Sequence, residues 1–264
     1  MRRKEFRDIA LKLSDGLLQT ATDTVLFTLF LMLCSFGKSK TSVGTHQMFD
    51  EASLWLQDFN YKTIKNAITQ LKHKKYISYP HKSTKEVIEI TEEGKQRLLN
   101  LIPQYRRKRS WDSRMYLVTY DVPESHKRHR EFLRSFLKRL GCAMLQESVW
   151  ITPYNPRKTI QIFCKDYDLS GVVIVSDMGK DAVIGEIDIQ SLIRSLYKLD
   201  KINDRYAKYI KLYGTVKKPR PILATAYLSI LRDDPQLPHA LLPNNWLGEK
   251  AHAIFHKFYG DIYL

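Results

Sequence analysis

Between residues 60 and 71 the apolar positions recur at helical spacing. Ile64, Ile68 and Leu71, with Ala67 beside them, share one face, while Lys62, Thr63, Lys65, Asn66 and Gln70 share the other. Asn60 stands where an N-cap belongs, and Lys72, Lys74 and Lys75 gather in the last turn, where cations suit the negative end of the helix dipole. The pattern then changes. Tyr76 to Tyr79 reads as a strand, Pro80 to Thr84 as a polar turn, and Lys85 to Ile90 as a second strand; Thr91 caps a further helix opening Glu92-Glu93-Gly94. Helix, strand, turn, strand, helix is the winged-helix order.

Upstream, Val25 to Phe36 is almost wholly apolar. It is too short to span a bilayer and is predicted as a buried helix. It packs under an amphipathic helix carrying Phe6, Ile9, Leu13 and Leu17 and under a helix with Ala52, Trp55 and Leu56, the first of the helix-turn-helix pair. Downstream, Pro103 ends the third winged-helix segment, and Gln104 to Ser110 is a basic linker. That linker is either a solvated hinge or an arm whose Arg106 and Arg107 lie along phosphates.

The middle of the chain alternates strand and helix. Met115 to Tyr120 is a strand stopped by Asp121-Val122-Pro123, and Ser125 to Leu140 is a helix ended by Gly141. A strand over Met144 to Pro153, a helix over Pro156 to Lys165 and an apolar strand over Gly171 to Val175 follow, with a further strand expected at Ala182 to Ile187. This is the order of a ferredoxin-like sandwich. Beyond it, Leu192, Leu196, Leu199, Tyr206, Tyr209, Ile210 and Tyr213 form a helical apolar stripe, and Leu223 to Leu231 another short helix. The predicted fold class is therefore α+β. A winged helix-turn-helix domain occupies residues 1–103, a linker 104–110, a ferredoxin-like βαββαβ domain 111–187 and a helical C-terminal domain 188–264.

Charge gives this architecture a partner. The 264 residues carry a formal net charge of +15, and residues 60–85 hold seven lysines and no acidic side chain. Such a balance favours a polyanion, and the winged-helix order favours double-stranded DNA over a membrane surface. In the major groove Asn66 and Gln70 would meet adenine edges and Lys65 guanine, while Lys82 and Lys85 on the wing approach phosphates. Asn60, Lys62 and Thr63 complete the predicted DNA-binding set. Cys34, Cys142 and Cys164 are too dispersed for a disulfide framework or a zinc cluster, which fits a reducing cytoplasm. His126 with His129, and His252 with His256, have metal-compatible spacing but no cysteine or acidic companion, so surface or capping roles are expected. No phosphate loop or nucleophile elbow is present, and no cofactor is expected.

Two stretches carry a family resemblance. TYDVPESHKRHREFLRSFLKRLGCAMLQESVWITP resembles the core of Cas2, the small CRISPR spacer-acquisition nuclease, whose first strand ends in Asp, a hydrophobic residue and Pro. Near the C-terminus, Asp234, Pro235, Leu237, Pro238, Leu241, Leu242, Pro243, Trp246 and Gly248 match the mark of the PaaX family of bacterial transcriptional repressors. The recognition helix is also similar to that of GntR-type repressors at Asn60, Thr63, Ile64, Lys65, Ala67, Ile68 and Leu71, with lysine at 65 in place of arginine and Lys75 where a glycine usually closes the helix. The PaaX resemblance implies a homodimeric repressor, with 111–187 as its dimerisation domain, released by an acyl-coenzyme A type effector. Lys217, Lys218 and Arg220 are candidates for its phosphates by charge alone. The Cas2 resemblance implies an alternative, a magnesium-dependent nuclease in which Asp121 from each of two chains holds the metal. Otherwise Asp121 satisfies backbone donors at the strand-to-helix turn.

Overall fold

The computed structural model describes residues 20–36, 56, 60–79, 88–169, 171–179, 188–217 and 221–260. Several predicted features lie outside these residues: the helix carrying Phe6 to Leu17, the residues Ala52 and Trp55, the wing turn with Lys82 and Lys85, and the strand expected at Ala182 to Ile187. The chain forms two compact units, each discontinuous in sequence. One comprises Met1–Tyr105, Ile202–Asp234 and Leu247–Leu264, the other Arg106–Lys201 and Pro235–Trp246.

In the first unit, α1 (Ala21–Phe36) is the expected buried helix, with Val25, Leu26, Phe27 and Leu31 almost fully enclosed. No helix among the described residues is long and apolar enough to cross a membrane. Around α1 pack α2 (Tyr61–His73), α3 (Glu92–Leu101) and, from late in the chain, α8 (Pro221–Asp233). Between α2 and α3, β1 (Ile77–Ser78) pairs antiparallel with β2 (Glu89–Ile90). The base of this ribbon is fastened by Thr91. Its hydroxyl donates to the Lys75 carbonyl and accepts from the Gly94 N–H at 3.1 Å. Gly94 is required there, because a Cβ would stand 2.2 Å from the Tyr76 carbonyl oxygen.

The rest of this unit comes from α7 (Leu199–Tyr213), beyond Lys201, together with α8 and α9 (Gly248–Tyr259). Its core is rich in phenols. Tyr206, Tyr209, Tyr213, Tyr227 and Tyr259 are all buried, and the Tyr206 hydroxyl donates to the buried Asp234 carboxylate at 2.8 Å. His252, expected at the surface, lies in this core instead. Its ring stacks on Tyr105 at 4.1 Å and its Nδ1 sits 3.0 Å from the Tyr227 hydroxyl. Ala251, Phe255, Phe258 and Tyr259 share its buried helical face.

The second unit is built on one antiparallel sheet in the order β4-β5-β3-β6, from β3 (Tyr116–Asp121), β4 (Ala143–Gln146), β5 (Val149–Thr152) and β6 (Val172–Asp177). Two helices, α4 (Lys127–Arg139) and α5 (Arg157–Asp166), complete the βαββαβ order of a ferredoxin-like sandwich. The single strand expected over Met144 to Pro153 is in fact a hairpin, bent at Glu147 and Ser148. The strand count of the sandwich is thus met by residues 116–177. Val118, Trp150, Leu133, Leu137, Ile160 and Phe163 form the core on the helical side of the sheet. On the opposite side, Met115, Ala143 and Ile151 are covered by α6 (Ile189–Leu196) and by Leu237 and Leu241.

Candidate nucleic-acid interface

The candidate interface is the outer side of α2. Its start is fixed by Asn60, whose Oδ1 accepts hydrogen bonds from the Thr63 N–H at 2.8 Å and the Thr63 hydroxyl at 2.9 Å. Two residues predicted to touch DNA are therefore occupied in capping the helix. The end of α2 is equally defined. The Lys75 N–H donates to Lys72 O at 3.0 Å and the Tyr76 N–H to Leu71 O at 2.8 Å, a Schellman closure. Such a closure needs a left-handed residue, and Lys75 takes it, with φ of 58°.

Ala67 and Leu71 are buried beneath α2, and Lys62, Lys65, Asn66, Thr69, Gln70, Lys72 and His73 are exposed. None of its lysines, nor Lys74 or Lys75, is ion-paired among the described residues. At 3.6 residues per turn, Lys62, Lys65, Asn66, Thr69 and His73 run along the side opposite Leu71. Thr69 and His73 were not singled out by the sequence pattern, although the same periodicity places them on this ridge. The hydroxyl of Thr69 donates to Lys65 O at 2.9 Å. Tyr61 stands at the head of the helix with 79% of its surface exposed. The ammonium of Lys72 leans over the Tyr79 ring, 5.3 Å from its centroid. Gln70 lies on the flank facing α1, and its Oε1 accepts from the buried Thr22 hydroxyl at 2.8 Å.

The predicted linker divides in character. Arg106, Arg107 and Lys108 are exposed, whereas Arg109 is buried, with Nε donating to Arg106 O at 2.9 Å and Nη1 to Leu237 O at 3.1 Å. The linker is thus neither a solvated hinge nor a free arm along its whole length. Gln236 holds the same segment from the other side: its Oε1 accepts from the Arg106 N–H at 2.6 Å, and its carbonyl from the Tyr154 hydroxyl at 2.9 Å. The Asp-Pro-x-Leu-Pro mark therefore serves packing. Asp234 receives Tyr206, Gln236 holds Arg106, and Leu237 is fully buried.

Asp121 is exposed at the end of β3, and its carboxylate has no hydrogen-bond partner among the described residues. The expectation that it satisfies backbone donors at the turn is not met. Among the described residues no group of three His, Cys, Asp or Glu is placed to hold a metal ion. The rings of His126 and His129 lie 5.5 Å apart, and Ser125 Oγ is 3.0 Å from His126 Nδ1. Of the effector candidates, Lys217 is exposed, and Lys218 and Arg220 lie outside the described residues. A polar cavity of about 440 Å³ opens between Asp188, which caps α6, Ser191 and Arg194 on that helix, and the Leu241–Asn245 segment. Its one cation is already engaged, since Arg194 Nε donates to Asp200 at 2.8 Å.

Comparison with known proteins agrees with this architecture. The PaaX protein central Cas2-like domain family matches residues 108–183, and the PaaX-like protein C-terminal domain family matches residues 197–263. Among solved structures, the uncharacterized protein Rv0674 from Mycobacterium tuberculosis is similar in fold, with a TM-score of 0.56 and 17% identity over 92% of this chain and 95% of that one. No curated protein matches the chain. The two PaaX matches lie in family order and together span more than half of the sequence, and the chain belongs to the PaaX family.

Proposed function

We propose that this chain is a sequence-specific DNA-binding transcriptional regulator, working as a homodimer and acting as a repressor released by an acyl-coenzyme A type effector. The observation that carries the reading is the exposed, acid-free ridge of α2, in which Lys62, Lys65 and Asn66 project from a helix capped at both ends and followed by a β-ribbon. Rigid caps matter because base reading needs side chains held in fixed register against the groove. Lysines supply affinity through released counterions, and Asn66 supplies an amide matched to adenine N6 and N7. Arg106 and Arg107, exposed on the segment after α3, add phosphate contacts, as do Lys82 and Lys85. Two chains would present two helices to half-sites one helical turn apart or a multiple of it, which calls for a palindromic operator. The effector and repressor parts rest on membership of the family.

Selection of bound sequences from random duplex DNA tests the reading, with recovery of a palindromic motif as the expected result. Recovery of no motif overturns it. In parallel, the chain and its Asp121→Ala variant are incubated with labelled DNA and RNA in magnesium or manganese. Metal-dependent cleavage lost in the variant would assign the chain to a Cas2-like nuclease instead.

A further inference from the structure

Resting on that DNA-reading assignment, we infer that Gln70 is a positioning residue, the latch that sets the rotation of α2, and that base reading falls to Lys65, Asn66 and Thr69. Sequence alone assigns Gln70 to an adenine edge. Bidentate pairing with adenine needs the carboxamide oxygen to accept from N6 while the nitrogen donates to N7. That oxygen is turned inward, onto the hydroxyl of Thr22, which is 8% exposed and anchored in the first turn of α1. Gln70 also lies about a quarter turn from Leu71, on the flank of α2, whereas the three readers follow the ridge opposite the buried side.

The anchor at Thr22 is itself fixed. Its neighbour Asp23 is buried and held by two hydrogen bonds from Arg97 of α3, and it also accepts from the Thr20 hydroxyl at 2.9 Å. One turn of α1 thus ties α2 through Gln70 and α3 through Arg97. Packing of Ala67 and Leu71 holds α2 to its neighbours but leaves rotation about its long axis to a directional contact. A hydrogen bond is directional and apolar contact is not.

Motifs selected from random DNA by the full chain and by Thr22→Val, Gln70→Met and Gln70→Glu separate a latch from a reader. Thr22 is buried beneath the helix and cannot touch DNA. A latch requires Thr22→Val and Gln70→Met to weaken preference at all helix-read positions together, lowering the ratio of specific to non-specific affinity by roughly threefold to tenfold. Gln70→Glu keeps an acceptor for Thr22, so it retains the wild-type motif with uniformly lower affinity from its added charge. Gln70 is exposed, so its two variants decide the matter even where Thr22→Val folds poorly.

The assignment alone is overturned if the Gln70 variants change the preferred base at a single position. It is overturned equally if every variant selects that motif at wild-type contrast. A wild-type chain that selects no motif overturns the DNA reading and the latch with it.

Discussion

Arg97 grips Asp23 with two parallel hydrogen bonds, Nε to Oδ1 at 2.9 Å and Nη2 to Oδ2 at 2.8 Å. The Asp23 side chain is 5% exposed and the Arg97 side chain 39%, so the pair is enclosed on the acidic side only. Replacing Arg97 by leucine strands a buried carboxylate, while the half-wet arginine contributes less than a fully buried partner. Arg97→Leu is expected to lower unfolding free energy by about 2 kcal/mol, read from urea denaturation at neutral pH. A variant as stable as wild type would mean that water replaces the guanidinium at no cost.

Lys75 is expected to limit stability. Its φ of 58° is the left-handed conformation, which a side chain strains and glycine does not. α4 ends in the same closure with Gly141, at φ of 87°. Lys75→Gly should therefore stabilise the fold by about 1 kcal/mol. The same change removes a cation at the edge of the reading helix, so on the DNA-binding assignment the salt dependence of DNA affinity should fall. A stabilised variant with unchanged salt slope would place Lys75 away from phosphate.

Single substitutions on α2 should separate affinity from specificity. Lys62→Ala is expected to weaken binding to all duplexes alike and to reduce the slope of log affinity against log salt by about one unit. Asn66→Ala is expected to cost about 1–3 kcal/mol on the preferred site and to relax one base-pair position only. Fluorescence anisotropy titrations at several salt concentrations, on specific and scrambled duplexes, measure both. Uniform loss from Asn66→Ala would remove it from the base-reading set.

Alkaline pH should unfold the chain. Burial holds the phenols of Tyr197, Tyr206 and Tyr209 above their ordinary value and pushes the Cys142 thiol up to about 12. The folded chain therefore keeps protons that the unfolded chain releases. This contribution to stability is complete below the unfolded-state values, about 8.5 for the thiol and about 10 for the phenols, and is lost as pH rises beyond them. As pH is raised from about 9, the share of tyrosinate absorbance that belongs to the buried phenols should appear together with the loss of the circular dichroism signal. Full tyrosinate absorbance with intact helical signal would count against a sealed phenol core.

The bounds of α2, its Asn60 cap and the Thr91 cap were legible because cap chemistry and helical period are local. The latch between Thr22 and Gln70 was not, because its partners are 48 residues apart. The β4–β5 hairpin reads as one strand because its bend, Glu147-Ser148, holds none of the Gly, Asn or Asp that two-residue hairpin turns prefer. Arg109 read as solvated because the carbonyl that buries it belongs to Leu237, 128 positions away. His252 was within reach of the pattern. It shares a helical face with Ala251, Phe255 and Tyr259, and that register outweighs the polarity of an imidazole.

The assembly of the first unit bears on how the protein is made. α1 is packed by α2 and α3 and also by α8, which leaves the ribosome only after the whole β3–β6 sheet. Nascent chains long enough to display the whole exposed ridge of α2 therefore still lack part of the packing around α1. Premature termination after the sheet should give a chain with its basic helix intact and its hydrophobic seam wet. Such a product is fitted for chaperones and proteases, so on the DNA-binding assignment the order of synthesis would guard against half-made competitors for DNA.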